Sequence, residues 1–259
     1  MSFQHPAFAP YQDEITALAL DHGFPGLNAL NALAVQRHLV NAANLPLRFT
    51  APDRHLSARD YEHHIHQSGR VPTRIDNWHD VMNALVWIRF PQFKAALNAA
   101  HNEAMASETG TLRGCRRDAL TVMDESGVWV ITEDASLTTL LAQRQWRALF
   151  WERRATMLEH MQFVVVGHAL LEKMLQPYPA LTGKCLMLKS PDPILNVARL
   201  NQIQNQAKLA LDRLNTPHIL VPLPLLGIPG WDESNAHPAY YDNATIFRHP
   251  RILLAPDTL

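Results

Sequence analysis

The sequence predicts an α+β fold, a predominantly helical single domain (residues 1–259) with a β-hairpin and a proline-rich extended C-terminal strap. Three observations lead to this prediction. Apolar residues recur at helical spacing over long stretches, most clearly around residues 76–106 and 196–214. Two β-prone runs flank a polar segment near residue 125, and prolines recur from residue 217 onward.

The first elements are helical. Residues 28–44 have helical spacing, and Asp76 or Asn77 can cap a helix that runs to about Arg89. Phe90 ends that helix because the residue before a proline is disfavoured in the helical region. Pro91 then suits the first turn of a second helix, predicted from Gln92 to about Ala106.

After residue 118 the pattern of apolar residues changes from helical spacing to β-prone runs. Residues 119–123 and 128–132 are β-prone runs around Asp124-Glu125-Ser126-Gly127, which predicts a hairpin. A helix is predicted over residues 137–161. Residues 163–168 fit either a strand that leads into a helix at 169–175 or a buried part of a longer helix. A short strand at 185–188 and a helix at 196–214 complete the prediction.

The strap extends from Pro222 to Arg248. Its prolines exclude a long helix or a central strand, yet it carries too many aliphatic and aromatic residues to lie in water. We therefore expect it to pack across the helices, with Trp231 and Phe247 as anchors. Asp242 or Arg248 is expected to reach back toward a polar cluster on the helices.

Composition restricts the partners. Lys and Arg total 23 against 24 Asp and Glu, so the chain has no basic field that would attract nucleic acid. No apolar run has the roughly 18 residues of a membrane span, and the N-terminus does not resemble a signal peptide. Two isolated cysteines suit a reducing, cytoplasmic setting. A small-molecule ligand is the expected partner, and the oligomeric state is left open.

Polar residues interrupt the two central helices in a regular way. His79, Asn83 and Trp87 share one face of the first helix with Asp80 beside them, and Lys94, Asn98 and His101 form a stripe on the second. If the two stripes face each other, they form a candidate site for a divalent metal ion or for proton transfer. The alternative is a solvent-exposed polar face on which His79 caps its own helix.

Charged and polar residues at three further places add candidates. Arg117-Asp118 precedes the predicted hairpin, and its charges would need each other if buried. Arg153 lies in an arginine-rich stretch and could hold an anion. His168 and Glu172, spaced i and i+4, can orient each other on a helix, and we expect His168 to face inward. The alternative for His168 is a buried, structural histidine. His63, His64 and His66 are interpreted as a surface loop rather than a metal tract.

The ordered set of motifs resembles a bacterial family known as domain of unknown function 3025, over about residues 40–250. The resemblance rests on the segments 77–87 with Phe90-Pro91, 117–121 with Asp124-Glu125, 167–170 with Glu172-Lys173, 222–224 with 227–231, and Tyr241-Asp242 with Phe247-Arg248. It implies a bacterial, cytoplasmic protein in which one family domain covers nearly the whole chain. It implies no activity, cofactor or catalytic residue.

Two functions follow as hypotheses. The first is a metal-assisted or acid/base hydrolase acting on a small polar or phosphorylated substrate, and the second is a non-catalytic ligand-binding or interaction module with a buried polar network. For the hydrolase, the catalytic candidates are His79, Asp80, Asp118 and His168. The substrate-binding candidates are Asn83, Arg117, Arg153 and Glu172, and the candidate ligands of a divalent metal are His79, His101 and Asp118.

Overall fold

The first half of the chain is mainly helical. The computed structural model describes residues 2–53, 55–108, 114–191 and 197–248. After a 3-10 segment at Pro6–Tyr11, the elements in order are α1 (Gln12–Ala17), α2 (Leu27–Gln36), β1 (Arg48–Thr50), α3 (Ala58–Ser68), β2 (Arg70–Pro72), α4 (Trp78–Arg89) and α5 (Pro91–Ser107). Strands β1 and β2 pair in parallel.

The second half adds the main sheet. Its elements are α6 (Cys115–Ser126), β3 (Gly127–Thr132), α7 (Ala135–Ala142), α8 (Arg154–His160), β4 (Met161–Val165), α9 (His168–Lys173), β5 (Thr182–Leu188), α10 (Val197–Leu211) and β6 (Val221–Pro224). The strand order is β4-β3-β5-β6, with β3 antiparallel to β4 and parallel to β5. The predicted α+β, predominantly helical fold is confirmed.

Local signals account for the two central helices. The Asn77 side chain accepts a hydrogen bond from the backbone N–H of Asp80 and so caps α4, as predicted. Phe90 leaves the helical conformation with φ −125°, and Pro91 begins α5 immediately afterwards. Both predicted helices are therefore present, and only a single residue separates them.

The predicted hairpin is wrong. Residues 119–123 belong to α6, and this helix runs directly into β3 at Gly127. Ala119, Leu120 and Met123 are buried, which is the spacing of a helical face rather than of a strand. Every residue of β3 is buried, and its partners are the distant β4 and β5. Tertiary packing therefore decides the conformation of this apolar run.

Two further helix assignments are corrected. The helix predicted over 137–161 is divided into α7, a π-helical segment at Ala148–Glu152, and α8. Arg144 has a left-handed backbone conformation (φ 55°), which interrupts the helix between α7 and the π-helical segment. The histidines 63, 64 and 66 lie on α3 rather than in a loop, because Ser57 caps its start and Gly69 (φ 68°) ends it.

The remaining strand and helix predictions agree with the structure. Residues 163–165 lie in β4 and His168 begins α9, which supports the reading of a strand leading into a helix. The short strand predicted at 185–188 lies within β5. The late helix is α10, which ends at Leu211 rather than at Leu214. Its predicted first residue, Asn196, lies outside the described residues.

The C-terminal strap is folded rather than extended. It begins as the edge strand β6 and continues in 3-10 turns at Leu225–Gly227, Glu233–Ala236 and Pro238–Asp242. The buried Asn235 side chain folds the segment back by donating to the carbonyls of Leu226 and Ile228. One cluster of buried apolar residues extends from Phe3 to Phe247, which favours the predicted single domain.

The two predicted anchors and the predicted return contact have different outcomes. Phe247 is 2% exposed, whereas Trp231 is only partly buried and receives a hydrogen bond from the His5 ring at its carbonyl. Asp242 pairs with Arg147, and the Arg248 carbonyl accepts from the Trp146 indole N–H. The expectation that Asp242 or Arg248 reaches the polar cluster is therefore wrong.

Candidate functional site

A cavity of about 790 Å³ opens between α3, α4 and α6. The loop before α3, the segment around Pro72 and Arg74, His101 on α5 and the first residue of α9 complete its wall. The lining residues include six that the sequence had singled out, namely His79, Asp80, Asn83, His101, Arg117 and His168. Residues from six separate segments of the chain therefore meet at one concave surface, which is the arrangement expected of a ligand site.

The predicted face of α4 forms one wall. His79 and Asn83, four residues apart, both line the cavity. The Asn83 side-chain amide donates to the Tyr61 hydroxyl at 2.9 Å. Its carbonyl oxygen is buried and has no hydrogen-bond partner within the described part of the chain. A buried acceptor of this kind is suited to a donor group of a ligand or to an ordered water.

His79 and His168 form a pair at the cavity wall. Their Nε2 atoms are 3.1 Å apart, and the rings meet at 73° with centroids 4.5 Å apart. The other nitrogen of each ring has its own acceptor. His168 Nδ1 lies 2.8 Å from the Asp124 carbonyl oxygen, and His79 Nδ1 lies 3.2 Å from a Glu172 carboxylate oxygen. His168 is buried, as predicted, while the His79 side chain is 37% exposed.

These contacts define the charge that the pair must carry. Each Nδ1 faces an oxygen that can only accept, so each Nδ1 must hold a proton. The two Nε2 lone pairs would then oppose each other unless a further proton or a cation lies between them. The hydrogen-bond network therefore calls for one positive charge at the two Nε2 atoms, supplied by a shared proton or by a bound cation. The Asp124 and Glu172 carboxylates, 3.6 and 3.2 Å from the rings, balance it.

A glycine makes this placement of His168 possible. A Cβ on Gly167 would lie 2.4 Å from the backbone nitrogen of Gly127 and 2.6 Å from the carbonyl carbon of Glu125. Only a residue without a side chain lets the start of α9 approach the end of α6 so closely. That approach brings the His168 ring to the Asp124 carbonyl.

A charged layer lies beneath the pair. Lys94 Nζ is 2.5 Å from an Asp124 carboxylate oxygen, and the Asn98 amide donates to Glu62 at 2.6 Å. Burial alone would raise the pKa of Asp124, but the charges of Lys94 and His168 outweigh it and hold that pKa well below its usual range. Burial and the nearby Asp124 raise the pKa of Glu62 to about 7, although Lys94 opposes the shift.

The layer therefore contains two carboxyl groups whose pKa values are shifted in opposite directions. Asp124 stays ionised, while Glu62 is poised to exchange a proton near neutral pH. Both line the cavity. Environments that separate the pKa values of two neighbouring acids are a recurrent feature of acid/base sites.

The remaining predicted residues have other positions. Asp118 is not among the residues that line the cavity, where its neighbour Arg117 lies instead. Arg153 is exposed and also lies away from the cavity. Asp80 lines the cavity, but its carboxylate is held by Arg74 through three hydrogen bonds. Glu172 orients His79 from outside the lining.

Several lining residues were missed from the sequence. Glu62 and Tyr61 lie on α3, next to the histidines that the sequence assigns to a surface loop, and Asp124 lies at the turn of the predicted hairpin. A helical reading of residues 115–126 would have placed Arg117, Thr121 and Asp124 on one face, at i, i+4 and i+7. Lys94 and Asn98 were on the predicted stripe, and this stripe faces α3 and α6.

The predicted metal set is not assembled. Within residues 2–53, 55–108, 114–191 and 197–248, no group of three or more His, Cys, Asp or Glu side chains is arranged to hold a metal ion. His79 and His101 do line the same cavity. A search of the described residues also found no helix with the length and apolar character needed to cross a bilayer.

The fold and cavity together define an α+β protein with a pocket rich in ionisable groups. The chain belongs to the family described as protein of unknown function (DUF3025), which it matches over residues 47–251. This match confirms the resemblance seen in the motifs. No match was found to a curated protein or to a solved structure.

Proposed function

We propose that the cavity is the active site of a hydrolase that uses acid/base catalysis on a small polar substrate. The observation that carries the proposal is the meeting of the His79–His168 pair, with its Nε2 atoms 3.1 Å apart, and the Glu62 carboxyl group at the surface of one 790 Å³ cavity. A group that exchanges a proton can activate water, and a positive charge facing the same pocket can stabilise the oxyanion that develops during hydrolysis.

Glu62 is suited to be the general base. Asn98 fixes one carboxylate oxygen, and Glu62 lines the cavity from α3. Its pKa of about 7 means that both protonation states are populated at neutral pH. A group with this property can take a proton from water and return it to the leaving group.

The histidine pair is suited to stabilise negative charge. The partly exposed His79 ring reaches the cavity, while His168 and Glu172 hold it in one orientation. A positive charge held in this way needs no reorganisation when an oxyanion develops during attack on a carbonyl or related centre.

The charges of the cavity favour an uncharged or cationic polar substrate over a phosphorylated one. Among the described lining residues, Glu62, Asp80, Asp124 and Glu125 carry carboxyl groups, and Arg74 and Arg117 carry guanidinium groups. Both arginines are already paired, Arg74 with Asp80 and Arg117 with Glu108. Because each guanidinium group already pairs with a carboxylate, neither is set to bind a phosphate through two parallel hydrogen bonds.

The test is a hydrolysis screen of the full chain with chromogenic carboxylic esters, amides and phosphate esters. We expect activity on esters or amides, and a loss of about 100-fold or more in Glu62→Gln. Glu159→Gln, which changes an exposed carboxylate on α8, is the matched control and should keep the activity. Turnover that survives Glu62→Gln would contradict the assignment of the base.

The second hypothesis, a non-catalytic binding module, also has an observation in its favour. The Lys94–Asp124 and Asn98–Glu62 contacts pair these side chains with one another inside the protein, as in a structural polar network. In that case the screen would detect no turnover, while small polar ligands would still raise the melting temperature of the wild type. Asn83→Ala should reduce that shift because it removes the buried carbonyl that lacks a partner.

A further inference from the structure

We infer that His79 Nε2 and His168 Nε2 form a binding site for a divalent transition-metal ion. The site uses one predicted metal ligand, His79, but replaces His101 and Asp118 by His168. It lies in the same cavity as the proposed function, yet the binding of the ion can be measured whether or not the cavity is catalytic.

The separation of the two nitrogens fits a shared ion. Two histidine nitrogens bound to one tetrahedral zinc, each at about 2.0–2.1 Å, lie about 3.3 Å apart. The observed distance is 3.1 Å. The ring centroids are only 4.5 Å apart, so the rings are tilted toward each other rather than set end to end. The two Nε2 lone pairs therefore do not lie on one straight line, as is also the case for two imidazoles that share an ion.

The outer contacts of both rings are those of metal-bound histidines. A ligating histidine almost always donates its other ring N–H to a carboxylate or a backbone carbonyl, which fixes its orientation. His168 does so to the Asp124 carbonyl and His79 to the Glu172 carboxylate. Both Nε2 atoms are then unprotonated in the neutral rings and can face one ion.

Water completes the coordination in this inference. The described residues place no third His, Cys, Asp or Glu side chain as a ligand beside the pair. The cavity that His79 and His168 line, about 790 Å³ in volume, has room for water at the remaining positions. Imidazole donors suit Zn²⁺ and Co²⁺ better than Mg²⁺ or Ca²⁺.

The experiment measures metal binding directly. Full-length protein stripped with a chelator is titrated with Zn²⁺ by calorimetry and with Co²⁺ by visible absorption, which reports tetrahedral geometry. We expect one ion per chain. His79→Gln and His168→Gln should weaken binding by about 100-fold, and Glu172→Gln by about tenfold through loss of the outer contact.

His63→Gln is the matched control, since it removes an exposed imidazole on α3 away from the pair. Because the His79 side chain is 37% exposed, His79→Gln should still fold, and circular dichroism with a cooperative melt checks this. Two results would overturn the inference. One is the absence of Zn²⁺ and Co²⁺ binding by the wild type, and the other is unchanged binding in both His79→Gln and His168→Gln.

Discussion

The ammonium of Lys94 lies 2.5 Å from a carboxylate oxygen of Asp124, with side chains only 6% and 13% exposed. The pair joins α5 to α6 beneath the cavity. Lys94 also lies 5.6 Å from the centre of the buried Trp87 ring. The backbone carbonyl of Asp124 in turn accepts from His168. The positions of the histidine pair and of α6 therefore both depend on Asp124.

Removing the lysine should be costly. Lys94→Met leaves the Asp124 carboxylate nearly buried without its main counter-charge, so we expect a loss of about 3–5 kcal/mol in the free energy of unfolding. Urea denaturation measures this loss. Lys94→Met combined with Asp124→Asn should recover part of it, whereas the exposed Lys173→Met should have little effect. A loss in Lys94→Met no larger than in Lys173→Met would contradict the role of the pair.

Stability should depend on pH through Glu62. Its pKa is raised from an ordinary 4.5 to about 7 in the folded state, so the folded chain binds more protons than the unfolded chain between these values. The free energy of unfolding should therefore decrease as pH rises from about 4.5 to 7. Allowing for partial exposure of Glu62, we expect a decrease of about 1–2 kcal/mol. Denaturation curves across this range, for the wild type and Glu62→Gln, measure it.

In Glu62→Gln that part of the decrease should disappear, because the amide does not titrate. Glu159→Gln, an exposed site, should retain the pH dependence of the wild type. If the free energies of unfolding of the wild type and Glu62→Gln changed equally with pH, the prediction of a raised pKa for Glu62 would be wrong.

The close approach at Gly167 should not tolerate a methyl group. Gly167→Ala places a Cβ within 2.6 Å of three backbone atoms of the α6–β3 segment, and we expect a loss of about 1–3 kcal/mol. Gly26→Ala is the control, because a Cβ there meets nothing within 4 Å and should cost less than about 1 kcal/mol. NMR of the ring nitrogens should show His168 Nδ1 losing its acceptor only in Gly167→Ala. Equal stability of the two variants would be inconsistent with the structure.

The two predicted anchors of the strap should differ in their contributions. Phe247 packs against the Tyr240 and Tyr241 rings at 5.4 and 5.1 Å, so Phe247→Ala should cost about 3–5 kcal/mol. Trp231 is partly exposed and makes an edge contact with His5, so Trp231→Ala should cost less than half as much. Thermal and urea unfolding of both variants provide the comparison. A larger loss in Trp231→Ala would reverse the ranking.

Features set by neighbouring residues were predictable. The cap at Asn77 and the break at Phe90-Pro91 depend on a few consecutive positions, so α4 and α5 could be placed from the sequence. The run 119–123 could not, because an apolar stretch with Thr and Val suits either a strand or a helix, and packing decides. The hairpin prediction failed for this reason.

The candidate site was predictable only in part. His79 and His168 were identified because each is a polar residue beside apolar runs. Their contact joins residues 89 positions apart, and no local pattern indicates it. Asp118 and Arg117 were both candidates, and only Arg117 lines the cavity, because one helical step of about 100° separates the directions of the two side chains. Glu62 escaped notice because α3 has a mostly polar sequence, and only the fold brings it to the cavity.

The edge strand β6 has a consequence for how molecules of this protein meet one another. Successive residues of a strand direct their backbone N–H groups to opposite sides, and Leu225 donates its own to the Leu181 carbonyl on the β5 side. Pro224 and Pro222, one and three residues earlier, therefore direct their backbone nitrogens away from β5. Neither proline has an N–H, and the outer edge of the sheet therefore offers an incoming strand few donors. A chain that ended before residue 222 would instead expose the backbone N–H and C=O groups of β5 that now pair with β6. We expect such a chain to pair with strands of other molecules and to aggregate.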